Sequence, residues 1–374
     1  MRIFKISLKW LTGLSVVILL VTLYFGLRPK DFDFSNNVKW TDHPAGIRFN
    51  RYGIAYTDPI QELREENGFG GNGFSIEIAL RLWNNEEDFN FIFVLNAGND
   101  RKQLLLGQWR SWIIAMNGDD YDHKRRTKRI SVSSASGSSA VKFITLTTGK
   151  DGTRIYIDGQ AIRKEKDLRL RVPYSDSTRL ILGNSAYDRN SWKGDIYGLA
   201  IYRQNLTARE AALDFNRWSQ DGNFSFAKNG KPVILYYFGE KEGTRVLDYA
   251  GGGHDLMIPS RVPILKKEIL SAPWKGFKFD NGSVEDILWN LVGFILLGFI
   301  VAATCDKAGS KHSIVIAVTL CFTVSLLIEI IQAWLPSRSS DLLDLISNTL
   351  GALLGARTYS QLRKNSPQSH REHR

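Results

Sequence analysis

The stretch EIIQAWLPSRSSDLLDLISNTLG, from Glu329 to Gly351, decides how the C-terminal part of this 374-residue chain folds. It lies between two apolar runs, yet it carries six residues that a lipid environment penalises: Glu329, Gln332, Arg338, Asp341, Asp344 and Asn348. A charged side chain at mid-bilayer costs about 2.5–3.5 kcal/mol even on lenient scales, so such groups usually face a bundle interior or the water boundary. The stretch therefore predicts a helical membrane domain with a polar interior or a polar rim.

Apolar runs also occur elsewhere in the chain, and together they cover Leu11–Leu27, Ile287–Ala303, Ser313–Trp334 and Leu345–Ala356. With its flank, the first run is long enough for a bilayer core, which needs about 20 residues. A cleaved signal peptide is the alternative, but no small-residue cleavage site follows the run, which ends in LRPK. We therefore predict an uncleaved N-terminal membrane anchor.

The fourth run is short for a span, and by hydropathy alone it could form a re-entrant or interfacial helix. Gly351 and Gly355 are four residues apart, as are Ala352 and Ala356. Small faces of this kind let helices approach closely within a membrane bundle. We therefore predict four transmembrane helices.

Lysine and arginine residues in the short flanks predict the orientation of these spans. They precede the first run, separate the second from the third, and follow the fourth: Arg2, Lys5, Lys9, Lys307, Lys311, Arg357, Arg363, Lys364, Arg371 and Arg374. With four spans all three groups are cytoplasmic, although Arg28 and Lys30 count against this arrangement. Both termini are then cytoplasmic, and residues 31–283 and the LPSRSSD loop face outward. The net charge of +11 follows largely from this topology, so it does not indicate a nucleic-acid partner.

Residues 31–283 show the pattern of a β-sandwich. In FSIEIALRLW, from Phe74 to Trp83, every second residue is large and apolar, as in a half-buried strand. Similar runs follow between turn residues: Asn90–Leu95, Trp112–Met116, Val141–Thr147, Thr153–Asp158, Arg179–Gly183 and Ile196–Tyr202. Thr207 and Glu210 fit a capping box that opens a helix. The region contains no cysteine, and its length of about 250 residues is enough for a core without disulfides.

These runs, together with LILGNSAYDRNSWKGDIYGLAIYRQNLTARE, resemble a concanavalin A-like, laminin-G-type jelly roll over about residues 45–220. The resemblance implies glycan binding. Some relatives hydrolyse glycans with two carboxylates about 5–9 Å apart, but no strand here offers such a pair. Others hold calcium in loops, and calcium is left open here with no ligand assigned, because no acidic cluster has a suitable spacing. The segment Pro232–Pro259 resembles a strand pair that such domains often place first, and it could complete the sheet from the other end.

Three aromatic residues of this region are candidate ligand-binding residues. Trp109, Trp112 and Tyr187 could stack on sugar faces, although aromatic side chains also dominate β cores. Trp192 is expected to pack inward. The basic run Lys124–Arg129 is expected to be a solvated loop, which could also contact anionic envelope polymers or lipid headgroups.

Polar residues recur at helical spacing at the predicted outer ends of the last three spans: Asp286 and Asn290, Glu329 and Gln332, and Asp341, Asp344 and Asn348. Within each set, spacings of three, four or seven residues place the side chains on one helix face. They can converge with Arg338 on one outward-facing polar pocket. The alternative is a set of helix-end caps, in which Asp341 caps the fourth helix and Arg338 pairs with Glu329.

The same segment resembles a VanZ-like membrane domain over about residues 284–358. The pattern is an Asn-bearing second span, then Glu-x-x-Gln, Pro-x-Arg, Asp-x-x-Asp and Asn-x-x-Gly, at Asn290, Glu329, Gln332, Pro336, Arg338, Asp341, Asp344, Asn348 and Gly351. With the N-terminal anchor it supplies the four spans usual for the family, so the jelly roll would be an insertion between the first two. The family is named after a determinant of low-level glycopeptide-antibiotic resistance. The resemblance implies a bacterial envelope protein and no specific reaction.

The sequence thus predicts a mixed fold: an N-terminal transmembrane anchor (1–30), an extracytoplasmic jelly roll with flanking segments (31–283), VanZ-like transmembrane helices (284–358) and a basic cytoplasmic tail (359–374). The expected function is to bind or organise envelope glycan. One alternative is a membrane-embedded enzyme acting on a lipid-linked or envelope glycan, with Glu329, Asp341 and Asp344 binding a divalent metal or acting as acid and base. Another is a scaffold whose jelly roll binds a protein. No metal ligand or cofactor is assigned, and the expected partners are membrane lipids and envelope or lipid-linked glycan.

Overall fold

A computed structural model describes residues 7–28, 35–63, 69, 73–83, 88–98, 103–120, 125–133, 140–186, 190–265, 269–272, 281–335 and 338–365. The side chains of residues 281–284 and 286 also lie outside the described part. The chain divides into two compact units. The helical unit comprises Met1–Phe32 and Lys267–Arg374, and the β unit comprises Asp33–Lys266.

The described residues of the β unit form sixteen strands: β1 (Val38–Asp42), β2 (Ala45–Phe49), β3 (Ala55–Thr57), β4 (Phe74–Leu82), β5 (Phe89–Asn96), β6 (Gln103–Trp109), β7 (Trp112–Asn117), β8 (Arg129–Ser133), β9 (Lys142–Gly149), β10 (Gly152–Ile157), β11 (Gln160–Glu165), β12 (Arg179–Leu182), β13 (Gly194–Tyr202), β14 (Ile234–Tyr236), β15 (Arg245–Val246) and β16 (Leu256–Met257). Helix α2 (Ala208–Asp221) follows β13, and 3-10 turns lie at Gln61–Leu63 and Ser225–Gly230.

The strands pair antiparallel in two sheets. The first has the order β1-β2-β13-β4-β9-β10-β11, with β14 also pairing with β13, and the second has the order β15-β16-β3-β12-β5-β6-β7-β8. The main core lies where side chains of both sheets meet, among them Ile78, Ile144, Leu95, Leu106 and Leu180. The predicted β-sandwich is therefore confirmed.

Strand β4 is buried on both faces, although its alternating sequence predicts a half-buried strand. Phe74, Ile76 and Ile78 face the main core. On the opposite face, Ala79 belongs to a second apolar cluster with Phe143 and residues that follow α2. The cover over this outer face explains why the whole strand is shielded from water.

The local predictions in the β unit are confirmed. Every predicted run is a strand, namely β4, β5, β7, β9, β10, β12 and β13. In the capping box of α2, the Thr207 hydroxyl accepts a hydrogen bond from the Glu210 N–H, and the Glu210 carboxylate accepts one from the Thr207 N–H. Helix α2 ends at Gly222, whose φ of 68° is the left-handed conformation that glycine favours. The alternation does not predict β1, β2, β3, β6, β8 or β11, because these strands are short or lack a regular apolar pattern.

The segment Pro232–Pro259 adds strands to both sheets. The sequence predicted that it could complete one sheet, so the structure extends this expectation. Strand β14 joins the first sheet beside β13, and β16 joins the second beside β3. Strand β15 lies between them, and in the polar turn that follows it the Asp248 carboxylate accepts hydrogen bonds from the Leu235 and Ala250 N–H groups. Chain segments from both sides of α2 therefore build the same sandwich.

The described part of the helical unit contains four helices: α1 (Leu8–Leu27), α3 (Asn281–Lys307), α4 (Ser313–Gln332) and α5 (Leu342–Lys364). Among the described residues, three segments are long and apolar enough to cross a membrane, and they are Leu8–Leu27, Ile287–Lys307 and Ser313–Gln332. Helix α5 is not among them, because its apolar part is short and polar residues occupy both of its ends.

Helix α5 packs closely along α3. A Cβ atom on Gly355 would lie 2.0 Å from the Ile295 carbonyl oxygen, and one on Gly351 would lie 2.5 Å from that of Leu291. Ala352 and Ala356 are fully buried. The prediction that small residues bring this helix into close contact with a neighbour is therefore confirmed.

Contacts along the helices give their directions. Near the C-terminal end of α3 the Ser15 hydroxyl of α1 lies 3.0 Å from that of Thr304. The Tyr359 hydroxyl donates to the Asp306 carboxylate over 2.8 Å at the same end of α3. Helix α5 therefore runs parallel to α3 from Leu291 to Asp306, beside the apolar segment of that helix.

Candidate functional site

A polar stripe lies on the inner face of α4. Ser325, Glu329 and Gln332 follow one another at spacings of four and three residues, which places them on one side of the helix. All are buried, with exposed fractions of 0%, 1% and 7%. The sequence shows the stripe by its spacing, and the structure shows that it points into the bundle.

The Glu329 carboxylate connects α4 to the start of α5. Its Oε2 atom accepts a hydrogen bond from the Asp341 N–H over 2.8 Å, and the Ser340 hydroxyl also hydrogen-bonds to it. The carboxylate therefore satisfies a backbone donor next to the first turn of α5, where intrahelical partners are missing. The charges of Asp344 and Asp341 also act on the Glu329 carboxylate.

Asp341 occupies the N-cap position of α5, but its side chain makes no capping hydrogen bond. The carboxylate instead accepts a hydrogen bond from the Ser271 hydroxyl. Backbone bonds join the same segments, from Ser271 N–H to Ser340 O (2.8 Å) and from Leu342 N–H to Ser271 O (3.1 Å). The interpretation of Asp341 as a side-chain cap is therefore wrong, because pairing with the segment at Ser271 turns the carboxylate away from the helix.

Arg338 lies against the end of α1. Its Nη2 atom donates to the Phe25 carbonyl over 2.8 Å, and its Nε atom donates to the Arg28 carbonyl over 3.0 Å. The Gln332 amide donates to the Gly26 carbonyl between them over 2.7 Å. The last carbonyls of a helix lack intrahelical donors and carry partial negative charge, so a guanidinium stabilises them. The structure thus gives Arg338 a role at α1 that the sequence does not indicate.

Two buried amide oxygens of this region have no hydrogen-bond donor among the described residues. They are the Oε1 atom of Gln332 and the Oδ1 atom of Asn348. The Asn348 amide nitrogen donates to the Ser325 hydroxyl oxygen over 2.9 Å, which ties α5 to the polar stripe of α4. A buried acceptor without a donor costs about 1–3 kcal/mol. The stripe therefore offers hydrogen-bond acceptors to a group that brings donors.

The other predicted pocket residues have different positions. Asp344 and Asn290 are half-buried, and Asn290 lies on α3 next to Leu291, whose carbonyl contacts Gly351. The Asp286 side chain and the whole of Pro336 lie outside the described residues. Within the described part of the chain, no three Asp, Glu, His or Cys side chains are placed to hold a metal ion.

Two of the three candidate aromatic residues of the β unit lie side by side. Trp109 and Trp112 pair across β6 and β7 at the turn formed by Arg110 and Ser111. They are 40% and 37% exposed, and the Arg110 guanidinium lies 5.2 Å from the centre of the Trp109 ring. The tip of this hairpin therefore presents two aromatic surfaces and one cation to solvent.

Of the remaining aromatic predictions, one is confirmed and one lies outside the described residues. Trp192 is fully buried, and its indole N–H donates to the Gln108 side-chain oxygen over 2.7 Å, so it packs inward as predicted. Tyr187 is outside the described part of the chain. Of the three candidate ligand-binding aromatic residues, the structure therefore describes Trp109 and Trp112, which lie exposed at the β6–β7 turn.

Family models match both units. One, described as VanZ/LLP1, matches residues 255–363 and so covers α3, α4 and α5. The other, described as the concanavalin A-like lectin/glucanases superfamily, matches residues 57–212. The chain combines a VanZ-like domain with a concanavalin A-like domain. The polar stripe of α4 and its partners on α5 thus belong to the VanZ-like domain, and the β6–β7 turn belongs to the concanavalin A-like domain.

Solved structures resemble this chain at low sequence identity, and no curated protein matches it. The binding domain of botulinum neurotoxin serotype D/C is 17% identical, with a TM-score of 0.38, over 50% of this chain and 47% of that one. The Trypanosoma rangeli sialidase is 14% identical, with a TM-score of 0.37, over 48% of this chain and 28% of that one. The chain thus spans about half the length of the toxin domain and less of the sialidase.

Proposed function

We propose that this protein is a multi-pass membrane protein of the bacterial cell envelope whose β unit binds glycan outside the cytoplasm. The observation that carries the proposal is the exposed pair Trp109 and Trp112 at the β6–β7 turn. Neighbouring indole rings offer flat apolar surfaces to sugar rings, and the Arg110 guanidinium beside them offers hydrogen-bond donors to hydroxyl or carboxylate groups. The match to a lectin-type family supports this choice of ligand class.

The proposed topology has four spans, with the β unit as an extracytoplasmic jelly roll inserted between the first two. The parallel packing of α5 along α3 supports a fourth span, because it puts both helices at the same depth from Leu291 to Asp306. Lysine and arginine flanks support cytoplasmic termini. Residues at the α4–α5 turn would then face the outside.

The test is a binding measurement on the full chain in lipid nanodiscs, with soluble envelope polysaccharides and their fragments as probes. We expect the double variant Trp109→Ala/Trp112→Ala to lose affinity about tenfold or more, since truncation of an aromatic anchor typically costs over 1.4 kcal/mol. Leu213→Ala is the matched control, because this apolar residue of α2 is 43% exposed and α2 packs against the first sheet, whereas the turn belongs to the second.

An unchanged affinity in the double variant would remove the turn as the glycan site. No binding to any polysaccharide, together with capture of a defined envelope protein, would favour the scaffold function instead.

A second candidate function is a membrane-embedded enzyme that acts on a lipid-linked glycan. The observation that favours it is the set of acceptors on α4 and α5, which includes the buried Glu329 carboxylate and the donor-less oxygens of Gln332 and Asn348. Sugar hydroxyl groups or an amine would supply the missing donors, and a carboxylate in this position could take up a proton from such a group.

The test of the second candidate is complementation of a deletion strain with the variants Glu329→Gln, Asp341→Asn and Asp344→Asn, with membrane abundance measured alongside. An amide oxygen at residue 329 can still accept the Asp341 N–H, so we expect normal abundance and loss of function. Asn348→Ala should behave in the same way. Full function in all three carboxylate variants would show that the acidic face is structural.

A further inference from the structure

Two basic segments from separate parts of the β unit lie next to each other. The first, residues 125–129, leads into β8, and the second, residues 160–171, contains β11 and the chain after it. Strands β8 and β11 are the end strands of the two sheets, and they lie beside each other at one side of the sandwich. The tertiary fold therefore joins two charge runs that are more than 30 residues apart in the sequence.

Hydrogen bonds fix this juxtaposition. The Lys128 ammonium donates to the Asp167 carbonyl over 3.3 Å. The Asn117 side chain, at the end of β7, donates to the Arg171 carbonyl and accepts from the Arg171 N–H, both over 2.8 Å. The segment after β11 is thus attached to the hairpin that carries the first basic run.

A buried carboxylate shapes the first segment. The Asp120 side chain is 2% exposed, and it accepts hydrogen bonds from the N–H groups of Arg125 (2.9 Å) and Thr127 (2.7 Å). Arg126, between them, has a φ of 54°. The loop is therefore folded around Asp120, and the side chains of Arg125, Arg126 and Lys128 are exposed.

We name the resulting surface the basic strip, and its cationic residues are Arg125, Arg126, Lys128, Arg129, Arg163, Lys164, Lys166, Arg169 and Arg171. Nearby acidic residues are fewer, and several are engaged within the strip. Asp119 pairs with Arg125 at 2.5 Å and Glu165 pairs with Arg163 at 2.8 Å, while Asp120 is buried. The strip thus carries an excess of positive charge on exposed side chains.

We infer that the basic strip binds an acidic polysaccharide of the envelope. The cations follow two neighbouring end strands and their loops, so they form a line along the side of the sandwich, which suits an extended polyanion with repeating carboxylate or phosphate groups. Ile162 is the exposed large apolar residue that the described strip offers, which is little for insertion into a lipid surface. The inference rests on the proposed function, because it requires the β unit to face the envelope.

The test uses the full chain in nanodiscs of zwitterionic lipid, with polygalacturonate as the acidic probe and dextran of similar length as the neutral one. We expect polygalacturonate to bind and its affinity to fall at least about tenfold between 50 and 200 mM salt, since exposed charge pairs are screened. The variant Arg126→Gln/Lys164→Gln/Lys166→Gln should lose most of this affinity.

The matched control is Lys39→Gln/Lys231→Gln/Lys241→Gln, which removes the same charge from exposed positions away from the strip. Lys39 lies on β1, at the opposite end of the first sheet from β11, and Lys231 and Lys241 lie on either side of β14. It should bind polygalacturonate nearly as the unchanged chain does. An equal loss of affinity in both triple variants would show that net charge alone drives binding, and it would overturn the inference. Binding of polygalacturonate that does not depend on salt, or no binding at all, would also overturn it.

Two further measurements separate the remaining explanations. If the protein bound vesicles with 30% phosphatidylglycerol and did not bind polygalacturonate, the strip would be a site for a lipid surface, and the inference would be overturned. If binding of neutral glycan is lost in Trp109→Ala/Trp112→Ala but kept in the strip variant, the proposed function is supported whatever the result for the basic strip. A salt series on the unchanged chain needs no variant, so the inference stays open to refutation even if a variant folds poorly.

Discussion

Glu77 makes the stability of the β unit depend on pH. It lies in β4, is fully buried, and accepts hydrogen bonds from the hydroxyl groups of Thr145 (3.1 Å) and Tyr202 (3.2 Å). Burial, with the charge of Asp214 adding to it, raises the pKa of Glu77 from 4.5 to about 8. The folded state therefore holds a proton on Glu77 that the unfolded state releases at lower pH.

The sign follows from linkage between proton binding and folding. The contribution of Glu77 to stability is fully present below pH 4.5 and is lost as the pH rises through 8, because the carboxylate must then ionise inside the sheet. Relative to a chain with a neutral residue at this position, we expect the free energy of unfolding to be lower by roughly 1 kcal/mol at pH 5 and by roughly 4 kcal/mol at pH 8.

The perturbation is Glu77→Gln, and the assay is urea unfolding of residues 33–266 at several pH values. This unit has its own core, so we expect it to fold alone as a β protein without disulfides. The amide can still hydrogen-bond to Thr145 and Tyr202. The difference in free energy of unfolding between the variant and the unchanged chain should therefore grow by roughly 3 kcal/mol in favour of the variant from pH 5 to pH 8. Glu165→Gln, on the exposed strand β11, is the control. Parallel pH profiles for Glu77→Gln and the unchanged chain would refute the reasoning.

Four further outcomes are expected, three for the helical unit and one for metal binding. Gly355→Leu should destabilise the unit by about 3 kcal/mol in detergent unfolding, because its Cβ would overlap the α3 backbone, whereas Gly293→Leu, with open space around it, should not. Arg338→Ala should cost roughly 1–3 kcal/mol by the same assay through lost bonds to α1, and a change under 0.5 kcal/mol would contradict this role. Reporter fusions after Ser339 should give an extracytoplasmic signal, and a cytoplasmic one would exclude four spans. A chelator should leave the thermal midpoint of the β unit unchanged, and a clear downward shift would indicate a calcium site.

Local patterns in the sequence predicted those features whose causes are local. The alternation in FSIEIALRLW predicted β4, because the side chains of a strand alternate between its two faces. Thr207 and Glu210 predicted the start of α2, since a capping box involves residues three apart. The four-residue spacing of Gly351 and Gly355 predicted close helix packing. In each case the residues that form the pattern lie within a few positions of one another, so a short stretch of sequence is enough to recognise it.

The tertiary structure alone decided which distant groups meet. Helical spacing put Glu329 and Gln332 on one face, but nothing local indicates that Glu329 binds the Asp341 N–H or that Gln332 and Arg338 bind the carbonyls at the end of α1. The basic strip has the same origin, since β8 and β11 belong to different sheets and meet only because both end at the same side of the sandwich. Such contacts depend on how strands and helices pair across hundreds of residues, and burial and hydrogen bonding of the whole chain select that pairing.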